Sequence, residues 1–147
     1  MNDLSMFFAQ NSTMDTTEDF VVSDRFKQVV KDDEGEKTVS VPWKIRCMTE
    51  AENEDVRKSA TKRVKVKGQG YVQETDPQEY LAKLVVASVV YPDLRNAELQ
   101  KSYGVLGAEN LLRKMLLPGE YANLVGKVQE INGFEKEMSE LVDEVKN

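Results

Sequence analysis

Histidine is absent from all 147 residues. Its absence removes the usual general base, the usual proton shuttle and the commonest metal ligand together, so neither a Ser-His-Asp nor a Cys-His arrangement can be assembled. Cys47 is the only cysteine. No intramolecular disulfide can form, and between Arg46 and Met48 the thiol reads as a buried small apolar group rather than a nucleophile. A metal site would have to be built from carboxylates alone, so no metal and no cofactor is expected. No run of about 18 apolar residues occurs, which excludes a membrane-spanning helix. The first residues are neither basic nor followed by the apolar stretch and small-residue cleavage site of a signal peptide, so the chain is expected to remain in the cytoplasm where it is made.

Partial catalytic motifs fail on spacing. Gly119, Gly126 and Lys127 resemble a phosphate loop, but six residues separate the glycines where four are needed, and Val128 stands where a magnesium-binding hydroxyl belongs. Lys67-Gly68-Gln69-Gly70 has too few glycines for a dinucleotide loop. Ser59-Ala60-Thr61-Lys62 lacks the companion motifs of the serine-x-x-lysine enzymes. Carboxylate pairs such as Glu50 and Glu54, or Glu137 and Glu140, read as solvated helix faces. No catalytic residue is expected, and no enzyme.

What is present suits one domain with a core: 40% of the residues are hydrophobic and 31% charged. A formal net charge of -6 argues against attraction to nucleic acid over the whole surface. One segment runs the other way, with Arg57, Lys58, Lys62, Arg63, Lys65 and Lys67 following one another without an intervening acid. Those six cations could meet phosphates, which makes a nucleic-acid-binding accessory protein an alternative reading. The blander reading is that they complement a helix dipole and the protein's own acidic surface. Tyr71 is the nearest aromatic, so base stacking gains little support.

Along the chain, residues 1–19 read as an arm and linker, with Leu4, Met6, Phe7 and Phe8 forming an apolar cluster and the polar residues 10–19 following. Residues 20–133 read as a single α+β domain, and residues 134–147 as an amphipathic helix. Thr38 to Cys47 alternates Val39, Val41, Trp43, Ile45 and Cys47 on one face, and with the turn-like run from Asp32 to Glu36 it predicts an antiparallel hairpin. Trp43 shares that face and is expected in the core. Thr49-Glu50-Ala51-Glu52 is a capping box that starts a helix, with Arg57, Lys58, Lys62 and Arg63 expected in its last turns. The chain leaves that helix through Gly68-Gln69-Gly70, and Tyr71-Val72 is read as a short strand or an ordered loop.

Asp76-Pro77-Gln78-Glu79 starts a second helix, apolar on most of its circumference, expected to run through Tyr80 to Tyr91 and to end at Pro92. Three more helices are expected at about 96–103, 107–116 and 118–131, with Asn132-Gly133 as exit. The fold class is therefore α+β, a small antiparallel sheet (a hairpin) in the first third followed by a mainly helical C-terminal two-thirds. Beyond it, Phe134, Met138, Leu141, Val142 and Val145 form an apolar stripe. With Leu4, Phe7 and Phe8 at the other end, these are the candidate partner-binding residues.

An ordered set of segments carries a resemblance. It comprises Val22-Ser23-Asp24-Arg25-Phe26, Pro42-Trp43-Lys44-Ile45-Arg46, Arg57-Lys58-Ser59 with Lys65-Val66-Lys67-Gly68, Tyr80-Leu81-Ala82-Lys83-Leu84, Tyr91-Pro92-Asp93-Leu94, and Ala97-Glu98-Leu99-Gln100 with Tyr103-Gly104-Val105. Together with the stretch from Asn96 to Gly133, they resemble the XkdN-like tail assembly chaperones of Bacillus phages and prophages, of the PBSX or skin-element type. The resemblance implies a non-enzymatic protein of the bacterial host cytoplasm. Such a protein binds the tape measure protein, holds it soluble while tail tube subunits polymerise around it, and is absent from the finished particle. It also implies contact with the tail tube protein and self-association as further options. A minor structural component of the tail is the remaining alternative.

Overall fold

A computed structural model describes residues 3–12 and 17–134 of the chain. Two single 3-10 turns, Ser5–Phe7 and Ala9–Asn11, precede the first strand. The order is then β1 Thr17–Phe20, β2 Lys27–Asp32, β3 Gly35–Ser40, β4 Trp43–Arg46, α1 Glu50–Ser59, β5 Thr61–Val66 and β6 Gly70–Thr75. It continues with α2 Pro77–Ser88, β7 Val89–Tyr91, α3 Ala97–Ser102, α4 Ala108–Met115 and α5 Pro118–Ile131.

The fold is α+β, but the expectation of one small sheet in the first third followed by helices is overturned. Seven antiparallel strands among the described residues form three sheets, ordered β1-β4-β7, β2-β3 and β5-β6, and they reach as far as Tyr91. Three local causes account for the difference. Pro42 has no N–H to give a ladder, so the alternation from Thr38 to Cys47 is cut into β3 and β4, which serve different sheets. β4 buries Trp43 and Ile45, whereas Val39 on β3 is 38% exposed and does not share that face.

The second cause lies at Ala60, where α1 ends, so only Arg57 and Lys58 occupy its last turn. Val64 and Val66 then alternate with Arg63, Lys65 and Lys67, a pattern that suits a strand. β5 pairs with β6 from Thr61 opposite Thr75 to Val66 opposite Gly70. Gly68 at φ 84° and Gly70 at φ 74° turn the chain between them. The third cause is the β-branched pair Val89-Val90. The chain leaves α2 after Ser88 and pairs Val89 with Ile45 and Tyr91 with Lys44, instead of continuing as helix to Tyr91. Residues 17–19, read as linker, are also strand, paired with β4 from Thr17 opposite Arg46 to Phe20 opposite Trp43.

The start signals hold in detail. The Thr49 hydroxyl oxygen accepts from the Glu52 N–H at 3.2 Å, and the Glu52 carboxylate accepts from the Thr49 N–H at 3.4 Å. The Asp76 carboxylate accepts from the N–H groups of Gln78 and Glu79 at 2.9 and 3.2 Å, with Pro77 in the first helical turn. α3, α4 and α5 lie within a residue or so of their expected bounds. The turn between β2 and β3 falls at residues 32–35 as expected.

The core is one cluster in which α2 contributes Leu84 and Val85, α4 Leu111 and Leu112, α5 Leu124 and Val128, and β4 Trp43 and Ile45. Cys47, expected buried, is half-buried. Asn53 of α1 is a polar group in the interior, and its side-chain oxygen accepts from the Tyr80 hydroxyl. Among the described residues no helix is long and apolar enough to cross a membrane.

Candidate partner-binding surface

An apolar groove of about 420 Å³ opens where the turn before β2, the end of β7 and helix α3 meet. β4 places Trp43 beneath it, and the chain enters from β7 through a cis Tyr91-Pro92 bond. Leu99 and Tyr103 come from α3, whose Asn96 cap accepts from the Leu99 N–H at 2.9 Å, and Met115 comes from the last turn of α4. Phe26 and Val41 complete the apolar lining, while Arg25 and Lys27 make it cationic on one side.

Arg25 is held there from three directions. Its guanidinium donates to the Met115 carbonyl at 2.7 Å and to both Glu120 oxygens at 2.5 and 3.3 Å, and it lies 5.0 Å from the Phe26 ring centre. The Arg25 guanidinium, then the Ser23 hydroxyl and the Leu117 N–H, hold the Glu120 carboxyl down at about 2. The same carboxylate closes the first turn of α5 by accepting from the Leu117 N–H at 2.8 Å. The groove, α4 and α5 are therefore tied at one point.

The residues expected to bind partners fall in different places. Leu4 is 64% and Phe7 76% exposed, and Phe8 and Met6 are also exposed. Their turns are held by local bonds, the Asp3 carboxylate accepting from the Ser5 N–H at 2.9 Å and the Asn11 amide donating to the Ser5 carbonyl at 2.6 Å. Phe134 is half-buried against the core, beside Met48, Leu84 and Asn132. The Asn132 side-chain oxygen accepts from the Met48 N–H at 2.8 Å, so the exit of α5 is pinned to the start of α1. Met138, Leu141, Val142 and Val145 lie outside the described residues.

The basic segment is not one helix end. Arg57 and Lys58 stand on the last turn of α1, Lys62, Arg63 and Lys65 on β5, and Lys67 in the turn to β6. A cleft of about 470 Å³ between α1 and the β5-β6 hairpin is bordered by Arg57, Lys58, Lys62 and Arg63, with Glu54 as its one acid. Strand pairing brings Tyr71 opposite Lys65, and the Arg63 guanidinium lies 4.8 Å from the Tyr71 ring centre. Glu50 reaches Arg57 at 3.7 Å and Glu79 reaches Lys62 at 3.5 Å.

No group of three or more potential metal ligands occurs among the described residues. The groove itself was not singled out from the sequence. A usable signal was nevertheless present, because Arg25-Phe26, Trp43, Tyr91-Pro92, Leu99 and Tyr103 all belong to the segments that carried the resemblance, and the fold brings them to one place.

Comparison with known proteins gives the same direction. The PBSX phage-like element protein XkdN of Bacillus subtilis (strain 168) is 33% identical over 108 residues, covering 73% of each chain. The protein YqbN of the same strain is 33% identical over 147 residues, covering 99% of this chain and 93% of that one. A crystal structure of YqbN superimposes with a TM-score of 0.69 at 27% identity, covering 91% of this chain and 98% of the other. Residues 4–146 match the phage XkdN-like tail assembly chaperone family, and the chain belongs to that family.

Proposed function

We propose that this protein binds the tape measure protein of a phage or prophage tail in the host cytoplasm. It keeps that chain soluble while the tail tube assembles around it, and leaves before the particle is complete. Family membership over residues 4–146 carries the reading. The apolar groove beside Tyr91 and Tyr103 and the exposed Leu4, Phe7 and Phe8 support it, because a helical client buries an apolar stripe and needs an aromatic-lined surface to receive it. Lys27 at the groove would favour stripes flanked by acids, Arg25 being already paired with Glu120. Nothing in such a role calls for a catalytic group, and the role is read as non-enzymatic.

The test is co-expression with the tape measure product of the same tail gene cluster. The soluble fraction of the long partner should rise with the wild-type chain and rise less with Tyr91→Ser combined with Lys27→Glu, two changes in the groove that leave the buried Trp43 in place. Equal insolubility with and without the wild-type chain would refute the proposal.

A further inference from the structure

The cleft between α1 and the β5-β6 hairpin and the tip of the β2-β3 hairpin carry opposite charge, and neither is fully neutralised by its own neighbours. Arg57, Lys58, Lys62 and Arg63 border the cleft, with Glu54 as the one acid among them. Glu50 reaches Arg57 only at 3.7 Å and Glu79 reaches Lys62 at 3.5 Å, while Lys58 has no ion pair among the described residues. The walls of the cleft are fixed. The Thr61 hydroxyl donates to the Arg57 carbonyl at 2.7 Å and accepts from the Thr75 hydroxyl at 2.6 Å, and Ala60 is fully buried where helix and hairpin join. On the β2-β3 hairpin every strand residue except Ser40 is exposed, and six residues of strand carry the tip about 20 Å from the root. Asp32 pairs with Gly35, so Asp33 and Glu34 form the turn. Gly35 at φ 116° and the Glu34 N–H, which donates to the Asp32 carboxylate at 2.8 Å, set its shape. Asp32, Asp33, Glu34 and Glu36 share two cations. Lys37 lies 3.3 Å from Asp32 and 3.7 Å from Glu34, Lys31 lies 3.6 Å from Glu36, and Asp33 has no ion pair among the described residues.

We propose that the acidic hairpin tip of one copy docks in the cationic cleft of a second copy, with Asp33 and Glu34 entering between Lys58 and Arg63. Shape agrees with charge. Two paired strands stand about 4.8 Å apart, so a hairpin end enters a cleft of about 470 Å³, whereas the side of a helix, about 10–12 Å across, rests on its rim. The contact uses different surfaces on the two copies, so a joined pair keeps a free tip at one end and a free cleft at the other for the next copy. Exposed ion pairs are individually weak, and several together give a contact that forms near about 0.1–1 mM protein. A net charge of -6 repels whole molecules at long range, while the pairs act at contact. Near 0.1 M salt, where the screening length is about 10 Å, the repulsion is damped and the contact is kept. The contact does not depend on which client the protein carries.

Sedimentation velocity of the full-length protein, with and without charge reversal, tests this. In about 0.1 M salt the mean sedimentation coefficient of the wild type should climb as the protein is raised to about 1 mM, and fall back to the monomer value in about 1 M salt, where the screening length is about 3 Å. Asp33→Lys with Glu34→Lys reverses the tip, and Lys58→Glu with Arg63→Glu reverses the cleft. Each variant alone should stay monomeric, because its tip and cleft then share one sign. An equal mixture of the two should associate again, since each tip meets a cleft of opposite charge. Far-UV circular dichroism and the urea midpoint check that both variants are folded, and Lys58→Gln with Arg63→Gln replaces the cleft variant if it is not. A wild type that stays monomeric to about 1 mM would overturn the proposal. So would association that survives either reversal, or a mixture of folded variants that remains monomeric.

Discussion

Arg25 is worth following because one guanidinium serves three structural ends. It satisfies the Met115 carbonyl at the end of α4, pairs with the Glu120 carboxylate in the first turn of α5, and presents its face to Phe26 at the groove. A lysine could neutralise Glu120 but could not bond both of its oxygens in one plane while stacking on a ring. The pair also fixes a pH response. The Arg25 guanidinium, with the Ser23 hydroxyl and the Leu117 N–H, holds the Glu120 carboxyl at about 2 in the folded chain against its ordinary 4.5 in the unfolded one. A depressed carboxylate contributes stability in full above its unfolded value and loses it as the pH falls towards its folded one. The contribution of Glu120 should therefore be complete at neutral pH and decline below about 4.5. Glu120→Gln should lower the urea midpoint at pH 7 and narrow its distance from wild type between pH 4.5 and pH 3. Parallel curves for the two proteins across that interval would show that the pair does not couple to folding.

At the scale of elements, the two hairpins and the N-terminal turns stand apart from the core. Val29 and Val39 of the β2-β3 hairpin remain exposed, and neither β5 nor β6 supplies a residue to the main core cluster. Two-stranded hairpins and single 3-10 turns have little stability of their own, so surface changes there should register in binding rather than in folding. Changing Leu4, Phe7 and Phe8 together to serine should leave the unfolding free energy within about 0.5 kcal/mol of wild type. The same triple change should weaken capture of the tape measure protein in a pull-down. Retention of full capture would remove the arm from the binding surface. Four of the helices that the sequence revealed carry a chemical start signal, Thr49 with Glu52, Asp76 with Pro77, Asn96, and Pro118 after Leu117, while α4 and the β2-β3 turn were legible from the glycines and polar run that bound them. The elements it concealed are decided by pairing partners far along the chain. β7 exists because Val89 and Tyr91 meet Ile45 and Lys44, and β5 because β6 returns beside it. The groove was hidden for the same reason, since its lining comes from five separated segments and no local spacing announces their meeting.

For the whole molecule the question is how a net charge of -6 coexists with a cationic cleft. Long-range attraction to a polyanion depends on the summed field, whereas the cleft acts only within a screening length of about 8 Å at physiological ionic strength. A nucleic acid strand approaching the cleft would also approach the acids that already lean on it, Glu50 beside Arg57 and Glu79 beside Lys62. Tyr71 offers one stacking surface where strand binding ordinarily uses several in succession. The expected outcome is no measurable affinity for single- or double-stranded DNA or RNA near physiological salt. The measurement is a fluorescence-anisotropy titration repeated across salt concentrations. Each phosphate neutralised on duplex DNA would add about 0.9 to the logarithmic salt slope, so four productive contacts would give a slope of about -3.6. A slope of that size with submicromolar binding, abolished by Lys62→Glu, Arg63→Glu, Lys65→Glu and Lys67→Glu together, would make the hairpin a nucleic-acid contact after all. A flat titration leaves the positive charge of the cleft to protein carboxylates, as Glu50 beside Arg57 and Glu79 beside Lys62 already illustrate.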